Sequence, residues 1–202
     1  MTVAGRVPTV RGMDTYHVVL YIHLLALFVG IGAGAILIAC LFRLRAAQTL
    51  ADAAPFGQLA GTAGKLFPIA ILGLFGSGAY MTSDLWSWST GWIDVSIGGL
   101  VLLAVQGPLL GERMGKRLEH ALHANGPGEL GDAARAAIRH PLLWASELSA
   151  MGVVFGIVWN MTQKPATGAA VGAIVGGYAV GAGLALVCTR APAARLAPAA
   201  SD

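Results

Sequence analysis

The sequence predicts an all-α, polytopic membrane helix bundle, and three observations carry that reading. Only 11% of the 202 residues are charged and 56% are hydrophobic, whereas a soluble domain carries about a quarter charged residues. Five separate stretches are apolar and close to the roughly 20 residues needed to cross a bilayer as a helix. The basic residues, finally, gather on one side of those five stretches.

The first stretch, residues 18–42, reads VVLYIHLLALFVGIGAGAILIACLF and holds no Asp, Glu, Lys or Arg, with His23 as its only histidine. A polar arm, residues 1–16, precedes it with Arg6, Pro8, Arg11 and Gly12, and Arg43-Leu44-Arg45 closes it. Leu37-Ile38-Ala39-Cys40 resembles a bacterial lipobox. The apolar run ahead of it exceeds a signal h-region, however, and Arg43 follows like a stop-transfer flank, so a first membrane span is expected instead.

A small Ala-rich connector with Pro55, residues 48–65, leads to the shortest span, residues 66–83. Pro68 falls in its first turn, where proline is tolerated because that N–H would lack a partner. The loop DLWSWSTGW, residues 84–92, contains three tryptophans. Indole rings favour the headgroup level, so this loop marks one membrane surface. The third span, residues 92–111, is the most polar, with Asp94, Ser96, Gln106 and Pro108.

Residues 112–140 form the one long hydrophilic loop. Its ERMGKRLEHALH run should prolong the third helix beyond the membrane, Asn125-Gly126-Pro127-Gly128 should break it, and a second short helix should start near Glu129. The fourth span, residues 142–161, carries Glu147 and Asn160, and the fifth, residues 166–188, carries no charge. Residues 17–188 thus make one bundle, with an Ala/Pro-rich tail, residues 189–202, expected to be disordered.

With the N-terminus outside, ten Lys and Arg residues fall on inner segments and three (Arg6, Arg11 and Lys164) on outer ones. This positive-inside bias predicts a multi-pass protein of the plasma (inner) membrane, N-terminus out, C-terminus and the 112–140 loop in the cytoplasm. The same bias accounts for the net charge of +3 without nucleic acid as a partner. Cys40 and Cys188 have no metal-type spacing and read as small buried side chains. There is no phosphate loop, nucleophile triad or paired-carboxylate spacing, and no catalytic residue is assigned.

His23 is the leading candidate. Ala26, Leu27, Gly30, Gly34 and Leu37 share its helix face, and so small a face should pack against protein. The histidine therefore points into the bundle, roughly 9 Å below the outer edge. Placed there, it can ligate haem iron or another metal, relay protons, or make one interhelical hydrogen bond. Asp94 is the expected hydrogen-bond partner that would fix its tautomer. Asp84, Asn160 and Lys164 are expected at the same surface. Glu147 lies roughly 9 Å in from the opposite surface, with Gln106 and Ser146 as polar neighbours, and the three mark either a polar path with His23 or a local hydrogen-bonded group. Glu119, His120 and His123 cluster beyond the membrane but fall short of a full metal-ligand set. In the fifth span Ala169, Ala173, Gly177, Gly181 and Ala185 recur every four residues, beside Gly168, Gly172 and Gly176. Such a ladder packs helices, either within the bundle or against a second copy or another membrane protein.

Three short motifs, Tyr21-Ile22-His23-Leu24-Leu25, Gly73-Leu74-Phe75-Gly76-Ser77-Gly78 and Gly91-Trp92, together with Lys164-Pro165, resemble the CopD-like group of small bacterial membrane proteins. That group includes HemJ-type protoporphyrinogen oxidases, copper-resistance proteins and uncharacterised families, and the last fit best. The resemblance spans roughly residues 16–165, which implies a four-helix core with the fifth helix as an addition. It further implies that His23 can ligate haem b. HemJ-type oxidases carry His and Lys after the Gly-Trp, where this chain has Asp94 and Ser96, so porphyrinogen oxidation is not expected. A sixth iron ligand would come from a methionine such as Met81 or Met151, or from another subunit. The expectation is a haem-binding or redox accessory protein using His23 and Asp94. The alternatives are a small transport or permeation component, or a structural subunit of a membrane complex.

Overall fold

The computed structural model describes residues 10–190; residues 1–9 and 191–202, which hold most of the expected arm and tail, lie outside the described residues. Helix α1 (Val10–Ala46) begins within the segment read as a polar arm and runs 37 residues, about 55 Å at 1.5 Å per residue. It is thus longer than a bilayer requires, and its end carrying Arg43 and Arg45 projects beyond the apolar run. Helix α2 (Leu50–Gly64) packs on α1, and α3 (Leu66–Leu85) continues from it along α1 after a break at Lys65. The connector is therefore a full helix. Thr49 starts it with a capping box, accepting from the Asp52 N–H while the Asp52 carboxylate accepts from the Thr49 N–H.

Helix α4 (Gly91–Gln106) passes through a six-residue π segment, Gly107–Glu112, into α5 (Arg113–His123). Pro108 has no N–H to give to the preceding turn, and a π register is one way for a helix to continue past such a residue. Gly126 and Gly128 take positive φ (70° and 108°) in the break before α6 (Asp132–Ile138). Helices α7 (Pro141–Gln163) and α8 (Thr167–Arg190) form a hairpin joined at Lys164, itself in the left-handed region at φ 48°.

Five of these helical stretches are long and apolar enough to cross a membrane, and the protein is a multi-pass, all-α bundle. In a bilayer each backbone N–H and C=O must be paired inside the chain, which a helix achieves alone. Large apolar side chains face outward from the spans, with Phe28 71% and Leu72 72% exposed. Exposed apolar surface of that extent suits lipid rather than water.

A buried apolar cluster lies at one end of the bundle. Leu41 and Leu44 of α1, Leu118 and Leu122 of α5, Ala134 and Ile138 of α6, and Trp144 of α7 close it. Antiparallel backbone bonds Leu50 N–H to Gly128 O and Leu130 N–H to Gln48 O (both 2.9 Å) clamp its loops together. We call this the basic end, and the opposite one, with the 86–90 loop, the tryptophan end.

Gly177 and Gly181 of the α8 ladder pack within the bundle. A Cβ on Gly177 would strike the Gly152 carbonyl, one on Gly181 the Leu148 carbonyl, and one on Gly156 the Ala173 carbonyl. The two backbones thus touch, as small residues permit in membranes. α8 also packs on α4, which makes it integral to the bundle.

Candidate functional site

His23 lies on α1 where that helix meets α3, and glycines bring the two together. A Cβ on Gly73 would sit 2.9 Å from Ala26 Cβ, and one on Gly30 would sit 3.4 Å from Ala70 Cβ. One turn toward the tryptophan end, Gly78 leaves room for the imidazole, whose Cε1 is 3.5 Å from where a Cβ would stand. His23 is partly buried, and its Nδ1 is 2.9 Å from the Ser77 hydroxyl.

The hydrogen-bond chain fixes the roles. Ser77 Oγ donates to the Gly73 carbonyl at 2.5 Å, the back-bonding that serine makes inside a helix. With its proton engaged there, the hydroxyl accepts from His23, so Nδ1 carries the imidazole proton. Nε2 then keeps its lone pair, while the ring also meets the Leu74 backbone. Nε2 is chemically a base, an acceptor or a metal ligand.

Asp94 is not the partner expected of it. It is exposed in the first turn of α4, where its own N–H donates to Thr90 O. The reason is helix order: α1 packs on α2, α3 and α7, whereas α4 packs chiefly on α7 and α8 and only lightly on α3. Ser96, at the other position of interest, is buried and donates to Trp92 O at 2.7 Å. Ser77 belongs to the Gly73-Leu74-Phe75-Gly76-Ser77-Gly78 motif, yet its role follows only from α1 and α3 being neighbours.

The polar residues toward the basic end form a separate group. Gln106 Nε2 donates to Ser146 O (2.8 Å) and Ser149 Oγ (3.0 Å), tying α4 to α7 in a buried setting. Glu147 lies over Gly111 of the π segment, with Oε1 3.3 Å from the position of a Cβ there. His23 is not brought to this group.

At the tryptophan end, Lys164 Nζ lies 4.6 Å over the Trp86 ring, and Trp86 meets Trp92 edge-on at 5.3 Å. Asn160, one turn before Lys164, is fully buried between the helices, its Nδ2 donating to Ala170 O at 3.3 Å and its Oδ1 unpartnered. Among the described residues no three His, Cys, Asp or Glu side chains group to hold a metal, and Glu119, His120 and His123 are exposed on α5. Cys40 is buried and Cys188 partly buried, both as free thiols.

No protein-family model, curated protein or solved structure matches the chain.

Proposed function

We propose that this is a redox accessory protein of the bacterial plasma membrane, related to the CopD-like group, in which His23 would hold haem b. The observation that carries the reading is the Nδ1–Ser77 bond, which presents Nε2 unprotonated. A bound haem would supply one-electron chemistry, and the chain's share is to hold the imidazole in that tautomer.

The donor fits; a second ligand and a slot between α1 and α3 do not. Met151 Cε rests against Gly34, eleven residues along α1 from His23, or about 16 Å at helical rise. Met81 is one turn beyond Ser77 on α3, so it is the nearer of the two thioethers considered. The Ala26–Gly73 and Gly30–Ala70 contacts close the α1–α3 seam to a porphyrin, so the group would approach Nε2 from outside that seam. Asp94 drops out of the proposed haem site. The basic end faces the cytoplasm in this proposal, in keeping with the positive-inside bias.

The test is an absorption spectrum of the protein purified after haem-replete expression. A Soret band that is lost in His23→Ala and weakened in Ser77→Ala supports the reading; a colourless wild-type preparation refutes it.

A structural role has its own support in the second face of α8. Gly168, Gly172, Gly176 and Gly183 point opposite to the α7 contact, with nothing within 4 Å of a Cβ on any of them. That face suits a second copy or another membrane helix. Bulky substitutions at Gly172 and Gly176 should then disrupt assembly; unchanged mass in detergent would remove this reading. The transport alternative gains nothing, since Gln106 is engaged between helices.

A further inference from the structure

We infer that the basic end holds a binding site for a phosphate group, formed by Arg45, Arg135 and Arg139, whose ligand is the headgroup of an anionic phospholipid or free phosphate. The three arginines line one small concavity floored by Leu44, Leu130 and Ile138, and among the described residues no acidic side chain lines it. Its volume, about 30 Å³, takes about two water-sized atoms at 10–15 Å³ each, which suits phosphate oxygens rather than a whole headgroup.

The arginines come from two separate elements. Arg45 belongs to the last turn of α1, its guanidinium carbon 5.7 Å from the centre of the Trp144 ring. Arg135 and Arg139 lie four residues apart at the end of α6, hence on one face, where like charges repel. Neither of these two is ion-paired among the described residues.

Basic residues at helix ends often serve the terminal carbonyls, and here that work is done by other groups. Gln48 Nε2 donates to Ala46 O at 3.2 Å, the Trp144 indole to Ile138 O at 2.9 Å, and His140 N–H to Ala137 O at 3.3 Å. The guanidinium donors of Arg135 and Arg139 are thereby left for a ligand. Planar guanidinium forks match phosphate oxygens two at a time, so a shared anion would also relieve their mutual repulsion.

Position favours a lipid source. Phe42, 49% exposed, packs edge-on against Trp144 and lies three residues before Arg45 on α1. The concavity therefore adjoins apolar surface where the first span ends, the level at which basic pockets bind anionic headgroups.

The experiment measures binding of phosphatidylglycerol, phosphatidylcholine and sodium phosphate to the purified full chain in detergent, by native mass spectrometry and thermal shift. The expected result is selective binding of phosphatidylglycerol, weakened roughly 30-fold in Arg135→Gln/Arg139→Gln and less in Arg135→Lys/Arg139→Lys. Sodium phosphate competing with the lipid, with the same dependence on both arginines, would support the site with free phosphate as ligand. Binding of neither probe overturns the inference, and so does equal binding to wild type and both double variants. An equal loss in Arg117→Gln, on α5, also overturns it by showing a general charge effect. Both arginines are exposed, so the ligand-free melts of the variants should match wild type.

Discussion

Replacing Gly177 by alanine should destabilise the bundle, while the same change at Gly176, one residue earlier, should not. A Cβ on Gly177 falls on the Gly152 carbonyl, and backbone atoms cannot swing aside as a side-chain tip can. Restoring ordinary contact requires α7 and α8 to part by about 1 Å along a seam that Gly156 and Gly181 also hold closed. Overpacking of this kind costs about 1–3 kcal/mol. Gly176 faces open space, and alanine there gains up to about 1 kcal/mol of helix propensity. The two variants should therefore differ by roughly 1–4 kcal/mol. Gly152→Ala should resemble Gly177→Ala, and combining the two should cost less than their sum, because the first change already parts the helices. Unfolding of the purified chain in mixed micelles measures this. Equal stability of Gly176→Ala and Gly177→Ala would refute the close backbone contact.

Thr49→Ala should lower stability by about 1 kcal/mol by removing the cap of α2. The Thr49 hydroxyl and backbone N–H hold the Asp52 carboxyl below its ordinary value. That contribution is present above about pH 4 and fades as pH falls through the depressed value, a loss that Thr49→Ala, which removes the hydroxyl and keeps the backbone N–H, should reduce in pH-dependent melts. Trp144→Phe should cost about 1–3 kcal/mol, measured by thermal melting, because it leaves Ile138 O buried without its 2.9 Å donor.

The five spans were legible because bilayer thickness imposes apolar runs of fixed length, and residues 18–42 and 166–188 leave little choice. The 112–140 loop was legible too: Asn125-Gly126-Pro127-Gly128 breaks it between α5 and α6, with positive φ at both glycines. The extent of α2 was harder to see. Its start rests on Thr49-x-x-Asp52, a short signal hidden in an Ala-rich stretch with Pro55 inside the helix. The small face that His23 shares was readable, and that face does pack on α3. The partner of His23 was not. Depth alone made Asp94 as eligible as Ser77, and only helix order separates them, because apolar periodicity in lipid does not say which helices are neighbours. For the same reason, the α8 ladder announced close packing without naming α7.

Histidine-selective nitrogen NMR of the protein in bilayers tests the His23–Ser77 centre most directly. The account predicts that His23 is neutral, protonated on Nδ1 and bare on Nε2, with the Nδ1 signal shifting in Ser77→Ala. A proton on Nε2, or a signal indifferent to Ser77→Ala, would contradict it.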